Sequence, residues 1–142
     1  RSIAVTGVQT CALPIFEITE HALAEGIKAA SGGNTTGDIG HAIESFVKAK
    51  GKYGIVEILS GHGVGKKIHE DPYIPNFGKA GRGEKLVPGM IVALEPMLNM
   101  GTKNVTIDED DWTFRTADRK LSAHFEHTIL ITEGDAEILT KI

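Results

Sequence analysis

His62, His69, Glu95, Trp112 and Glu126 are the residues whose types and surroundings could do chemistry. His62 stands in the frame Gly61-His62-Gly63-Val64-Gly65, directly after the β-branched and aromatic run Tyr53–Leu59. Glycines there let the backbone approach a ligand or another segment closely. A turn carrying an incidental histidine has the same spacing. Glu95 ends the apolar run Met90–Leu94 and precedes Pro96. A carboxylate at the end of a buried strand is costly unless it is paired or bound to a cation. A strand-end glutamate can also simply reach solvent. Glu126 lies in His124-Phe125-Glu126-His127-Thr128-Ile129-Leu130-Ile131, where alternation puts His124, Glu126, Thr128 and Leu130 on one face. A mid-strand carboxylate flanked by histidines suits a metal ligand better than a solvated group. His69 precedes Glu70-Asp71-Pro72 and opens an irregular stretch, which suits a substrate contact or an exposed loop histidine. Trp112, the only tryptophan, reads as a core residue or a pocket wall. His21 and His41 fall on predicted helices without a partner and read as surface residues.

One histidine and two glutamates make a mixed nitrogen and oxygen donor set. Such a set suits Mn, Fe, Co or Zn. Bridging carboxylates would suit a two-metal hydrolytic centre. Other chemistries lack their motifs. There is no His-Glu-x-x-His, no Gly-x-x-x-x-Gly-Lys-[Ser/Thr] phosphate loop and no Gly-x-Ser-x-Gly elbow.

The elements that must hold these residues follow from pattern. Ile18, Ala22, Leu23 and Ile27 recur at helical spacing, and Ser31-Gly32-Gly33-Asn34 stops that segment. Ile39, Ala42, Ile43, Phe46 and Val47 form one face of a second helix over Thr36–Lys50. Thr35 and Asp38 resemble a capping box, and Gly51 supplies the stop. Strands are predicted at Tyr53–Leu59, Met90–Leu94, Trp112–Thr116, Ala123–Thr132 and Ala136–Leu139. Lys66–Pro88, broken by prolines and glycines, reads as a long irregular connection. Helices followed by strands imply an α+β fold, two helices packed on a mainly antiparallel sheet.

The chain has 142 residues, enough for one domain with a real core. Its 15 basic and 19 acidic residues give a net charge of −4, which argues against a nucleic-acid binder resting on a basic surface. A single cysteine, Cys11, excludes an internal disulfide framework. No apolar run approaches the ~20 residues of a membrane span. A cytoplasmic protein is the default expectation. Arg1–Ile15 shows no period and no sustained apolar region, and Gly7 and Pro14 are expected to interrupt any regular element.

Four blocks carry a resemblance: Ser60–Pro72 (SGHGVGKKIHEDP), Leu86–Gly101 (LVPGMIVALEPMLNMG), Asp111–Thr116 (DWTFRT) and Leu121–Thr132 (LSAHFEHTILIT). Together they resemble the type I methionine aminopeptidases, dinuclear metallohydrolases with the pita-bread fold. The resemblance runs from about Phe16 to Ile142 and corresponds to the C-terminal half of that fold. It implies two divalent metal ions, Co, Mn, Fe or Zn. It implies that His62, Glu95 and Glu126 are metal ligands, with Glu126 bridging both ions and Glu95 also a proton acceptor for the attacking water. His69 resembles the histidine that contacts the scissile peptide, and Trp112 a tryptophan near the methionine pocket. The implied function is removal of initiator methionine from nascent peptide N-termini, at or near the ribosome, by a cytoplasmic enzyme that is monomeric at full length.

The departure from the family lies upstream. The resemblance implies two further aspartate ligands and another substrate-binding histidine, and nothing before Phe16 matches them. Residues 1–15 resemble translated adapter sequence, so they are expected to be an artefactual leader, with 16–142 the C-terminal part of the catalytic domain. On this reading the chain as given is an incomplete fragment that binds metal weakly and has little aminopeptidase activity. Two alternatives share the fold: an Xaa-Pro peptidase, against which Trp112 and the Ser122–Thr128 block argue, and a non-catalytic binding module.

Overall fold

Ile15, Thr19, Ala22, Leu23 and Gly26 recur a turn apart and form the buried stripe of helix α1 (Gln9–Ala29). The structure, a computed structural model, describes residues 9–141. Residues 1–8 of the expected leader, Gly7 among them, lie outside the described residues. The helix starts upstream of Phe16 and runs through Pro14, so the expectation that Pro14 interrupts any element is corrected. The ring forfeits one N–H, the donor that would have met the Thr10 carbonyl. The next residue, Ile15, is fully buried in the core, a gain of about 1.5–3 kcal/mol that offsets the loss. The Thr19 hydroxyl donates to the Ile15 carbonyl at 2.6 Å, which satisfies a polar group inside this stripe.

Helix α2 (Thr36–Lys50) has the bounds its pattern predicts. The Asp38 carboxylate accepts from the Thr35 backbone N–H and from its hydroxyl, both at 2.8 Å. This satisfies an orphan donor at the helix start. Ile39, Ile43 and Val47 turn inward and pack with α1. Where the helices cross, a side chain at Gly26 would sit 2.9 Å from Ile43, so glycine permits the close approach.

Among the described residues the strands form three antiparallel groups. The largest sheet has the order β10 (Glu137–Ile138), β9 (His127–Leu130), β4 (Ile91–Leu94), β2 (Gly61–Gly63), β3 (Glu70–Ile74). A second has the order β1 (Gly54–Ile55), β5 (Met97–Asn99), β8 (Ser122–His124). A hairpin joins β6 (Val105–Ile107) to β7 (Phe114–Thr116). Helix α1 lies across β4, β5 and β8, and α2 packs on β3. The core between these layers holds Val92, Leu94, Leu98, Ile129 and Ile131, all at most 1% exposed. The α+β class and antiparallel pairing are as expected.

Several strand assignments change. Tyr53–Leu59 contributes only Gly54–Ile55 to a sheet, and Trp112–Thr116 only Phe114–Thr116. Ala123–Thr132 is split into β8 and β9. Gly61–Gly63 is itself a central strand rather than a turn, and Lys66–Pro88 contains β3. The rest of that stretch is held against α2. Gly37 and Gly40 bring the helix backbone against the carbonyls of Arg82 and Phe77, and a Cβ at Gly40 would lie 2.3 Å from the latter. Asp38 and Glu44 accept from the N–H groups of Gly81 and Gly78 at 2.9 and 3.1 Å.

Candidate metal centre

Two dipeptides carry the chain between sheets. Glu95-Pro96 links β4 to β5, and Phe125-Glu126 links β8 to β9. Their flanks are paired, Leu94 with His127 and Met97 with His124, so the dipeptides face each other across the gap. Pro96 has no N–H to continue a ladder. Its carbonyl still accepts from Phe125 N–H at 3.3 Å. This break places Glu126 at a strand junction, exposed, and corrects its mid-strand assignment. It also brings the two carboxylates together.

His62 arrives from β2. Gly61 and Gly63 let β4 and β3 close in on it, since a Cβ at either would lie 2.3 Å or less from a backbone carbonyl. The glycine frame therefore admits neighbouring strands. The His62 Nδ1 lies 3.0 Å from the Gly63 carbonyl, which can only accept. The proton of the neutral ring is thus on Nδ1, and Nε2 presents a lone pair. That lone pair faces Glu95 Oε1 at 3.5 Å. Two acceptors in this position need a proton or a cation between them. On the other side His124 Nε2 lies 3.2 Å from Glu95 Oε2. Ligand atoms of Glu95, His124 and Glu126 all lie within 4.8 Å of one another. Carboxylates this close repel unless a cation offsets their charge. The donor set fits a divalent ion of the borderline class.

A cavity of about 550 Å³ opens beside this cluster. His62, Glu95 and His124 line one wall, while Val56, Ile58, Met97, Trp112 and Phe114 give an apolar one. His69 also lines it, its ring edge-on to His62 with centroids 4.3 Å apart. Trp112 is 81% exposed at the β6–β7 tip, so it is a cavity wall and not a core residue. Asp110 fixes that tip by accepting from the N–H groups of Trp112 and Thr113 and from the Thr113 hydroxyl. These bonds, the hydroxyl first, pull its carboxyl down to about 2. His21 and His41 are exposed, as expected, and belong to no part of the site.

The structure thus assembles His62, His69, Glu95 and Trp112 at one cavity, with Glu126 beside Glu95. Two members were not singled out from sequence. His124 was legible only as a neighbour of Glu126 on the same strand face. Asn76, 1% exposed, donates to the Glu95 carbonyl at 3.2 Å, and nothing in its local sequence signals that role.

The sequence matches the profile of metallopeptidase family M24 over residues 1–133. The chain belongs to metallopeptidase family M24. Among curated relatives it is 45% identical to a methionine aminopeptidase of Clostridium perfringens, over 142 residues that make up 57% of that protein. The chain therefore spans about half the length of the curated relatives it matches. A solved methionine aminopeptidase from Thermotoga maritima superposes with TM-score 0.88 at 45% identity, covering 92% of this chain and 52% of that one. A prolidase from Pyrococcus furiosus superposes less closely, with TM-score 0.70 at 28% identity over 100% of this chain and 36% of its own. The shared architecture is that of the methionine aminopeptidases, the pita-bread fold. M24 membership implies use of divalent metal, and the Glu95, His124 and Glu126 group offers ligands for it.

Proposed function

We propose that residues 16–142 form the C-terminal part of a catalytic domain that removes N-terminal methionine from nascent proteins. The observation that carries this is the convergence of His62, Glu95 and Glu126 beside an apolar-walled cavity that also holds His69 and Trp112. His62 through Nε2, Glu95 and Glu126 would hold the divalent ions, Co, Mn, Fe or Zn and two in number. When bound, such ions supply Lewis acidity and lower the pKa of water toward neutrality. The protein's own groups do the rest. Glu95 accepts a proton at a carboxylate oxygen from the attacking water. His69 stands where a ring N–H can donate to the peptide carbonyl as negative charge builds on it. Val56, Ile58, Met97, Trp112 and Phe114 offer the apolar wall that a methionine side chain requires. The closer match to methionine aminopeptidases than to the prolidase supports this specificity. The setting is the cytoplasm, the substrates are chains emerging from the ribosome, and the full-length protein works as a monomer. No helix among the described residues is long and apolar enough to cross a membrane.

The test joins residues 16–142 to the upstream half of the Clostridium perfringens relative and supplies Co or Mn. Release of methionine from Met-Ala peptides, with Xaa-Pro peptides left intact, is the expected result. Glu95→Gln should lower kcat by about 10²–10⁴-fold, the usual loss when a general base is removed. Metal binding without methionine release, or preference for Xaa-Pro peptides, would overturn the proposal.

A further inference from the structure

The resemblance leaves His124 out of the ligand set, yet the structure aims it at the same carboxylates. We propose that His124 is a metal ligand. Its Nε2 binds a divalent cation together with Glu95 and Glu126, so the centre takes imidazole nitrogen from both His62 and His124. This rests on the metal-centre reading above and extends it.

Three observations carry the inference. The first is separation. Atoms bound at about 2.0–2.2 Å to one ion lie roughly 3.0–3.5 Å apart at tetrahedral or octahedral angles. His124 Nε2 is 3.2 Å from Glu95 Oε2, and His62 Nε2 is 3.5 Å from Oε1. The second is placement. β8 is paired with β5 through Met97 and His124, and Ala123 beside it is buried, so Ser122 and His124 face the cavity from a fixed strand. The ring needs no loop movement to reach the carboxylates. The third is charge. Ligand atoms of two carboxylates and His124 lie within 4.8 Å of one another, an arrangement a cation stabilises. A second nitrogen moves the preference of the site from Mn toward Zn or Co. The competing arrangement is a protonated His124 clamped by the two carboxylates with no bond to metal.

Imidazole nitrogen NMR of the full chain separates these. The chain has six histidines, and His21, His41 and His127 serve as internal references. On titration with zinc chloride, the Nε2 resonances of both His62 and His124 should move together, and the references should stay. His124→Gln, at a side chain 47% exposed, should leave the circular dichroism spectrum unchanged. Calorimetry should show its zinc affinity reduced at least as much as the about 10–100-fold that loss of a partner one shell further out costs. If zinc moves His62 but not His124, or His124→Gln binds zinc as tightly as the parent, the His124 proposal falls and the metal-centre reading stands. If zinc moves neither ring, both fall.

Discussion

Asp110 is the residue where charge and site geometry are most tightly joined. Its carboxylate gathers the Thr113 hydroxyl at 2.6 Å and the N–H groups of Thr113 and Trp112 at 2.8 and 3.0 Å. These bonds favour the ionised form and lower its pKa from 3.8 to about 2. A folded value below the unfolded one means the contribution is complete above about 3.8 and is lost as pH falls through about 2. Trp112 is the only tryptophan and sits on the same tip, so its fluorescence anisotropy reports the loss. Anisotropy should be flat above about pH 4 and fall as pH passes through about 2. Asp110→Ala should show the lowered value already at pH 7. A profile that stays flat well below about pH 2, or an unchanged value in Asp110→Ala, would mean the carboxylate does not hold the tip. At this scale residue type was highly legible. His62, Glu95 and Glu126 stand out because glycine frames and apolar flanks make polar groups expensive. His124 does not stand out, because its partner Glu95 comes from a segment distant in sequence.

Glycines on α2 set how the irregular stretch around Pro75–Gly83 is held, and through it the backbone of Glu95. A Cβ at Gly40 would lie 2.3 Å from the Phe77 carbonyl and 2.7 Å from that of Pro75. Neither is a flexible side chain, so helix and loop must part. Gly40→Ala should destabilise the chain by about 1–3 kcal/mol in urea unfolding, the usual cost of overpacking. Gly134→Ala, which meets nothing within 4 Å, should change stability by less than about 0.5 kcal/mol. Equal effects at the two positions would remove this account of the loop. Since Asn76 belongs to the same stretch and holds the Glu95 carbonyl, Gly40→Ala should also weaken metal binding at Glu95. Elements with local causes were the legible ones: α2 with its Thr35 and Asp38 cap, and β4 with its apolar run. β2 and β3 were missed because their glycines and Pro72 read as punctuation. Only the neighbouring strands reveal that these glycines admit close packing. The break at Phe125–Glu126 is likewise set by Pro96 on the partner strand.

Across the whole molecule the cluster sits where the sheets meet. Glu95 follows β4 of the larger sheet and leads into β5 of the smaller, while Glu126 does the reverse between β8 and β9. An ion held by both, with His62 from the centre of the larger sheet, would tie the sheets through side chains as well as through the two backbone crossings. Binding to the native state alone stabilises it by mass action, by about 2.7 kcal/mol at a metal concentration 100 times Kd. For a chain of this size that corresponds to a rise in Tm of roughly 5–15 °C. Zinc should produce this rise in thermal melts, and a chelator should reverse it. Glu95→Gln and Glu126→Gln should each abolish most of it, because each removes a link from both sheets. Helical ellipticity and Trp112 fluorescence should shift together, since α1 packs across β4, β5 and β8 and the hairpin bearing Trp112 flanks the same cavity. A rise confined to one probe would mean that the ion stabilises one sheet locally. No rise at saturating zinc would mean that these residues do not form a metal site in the folded chain.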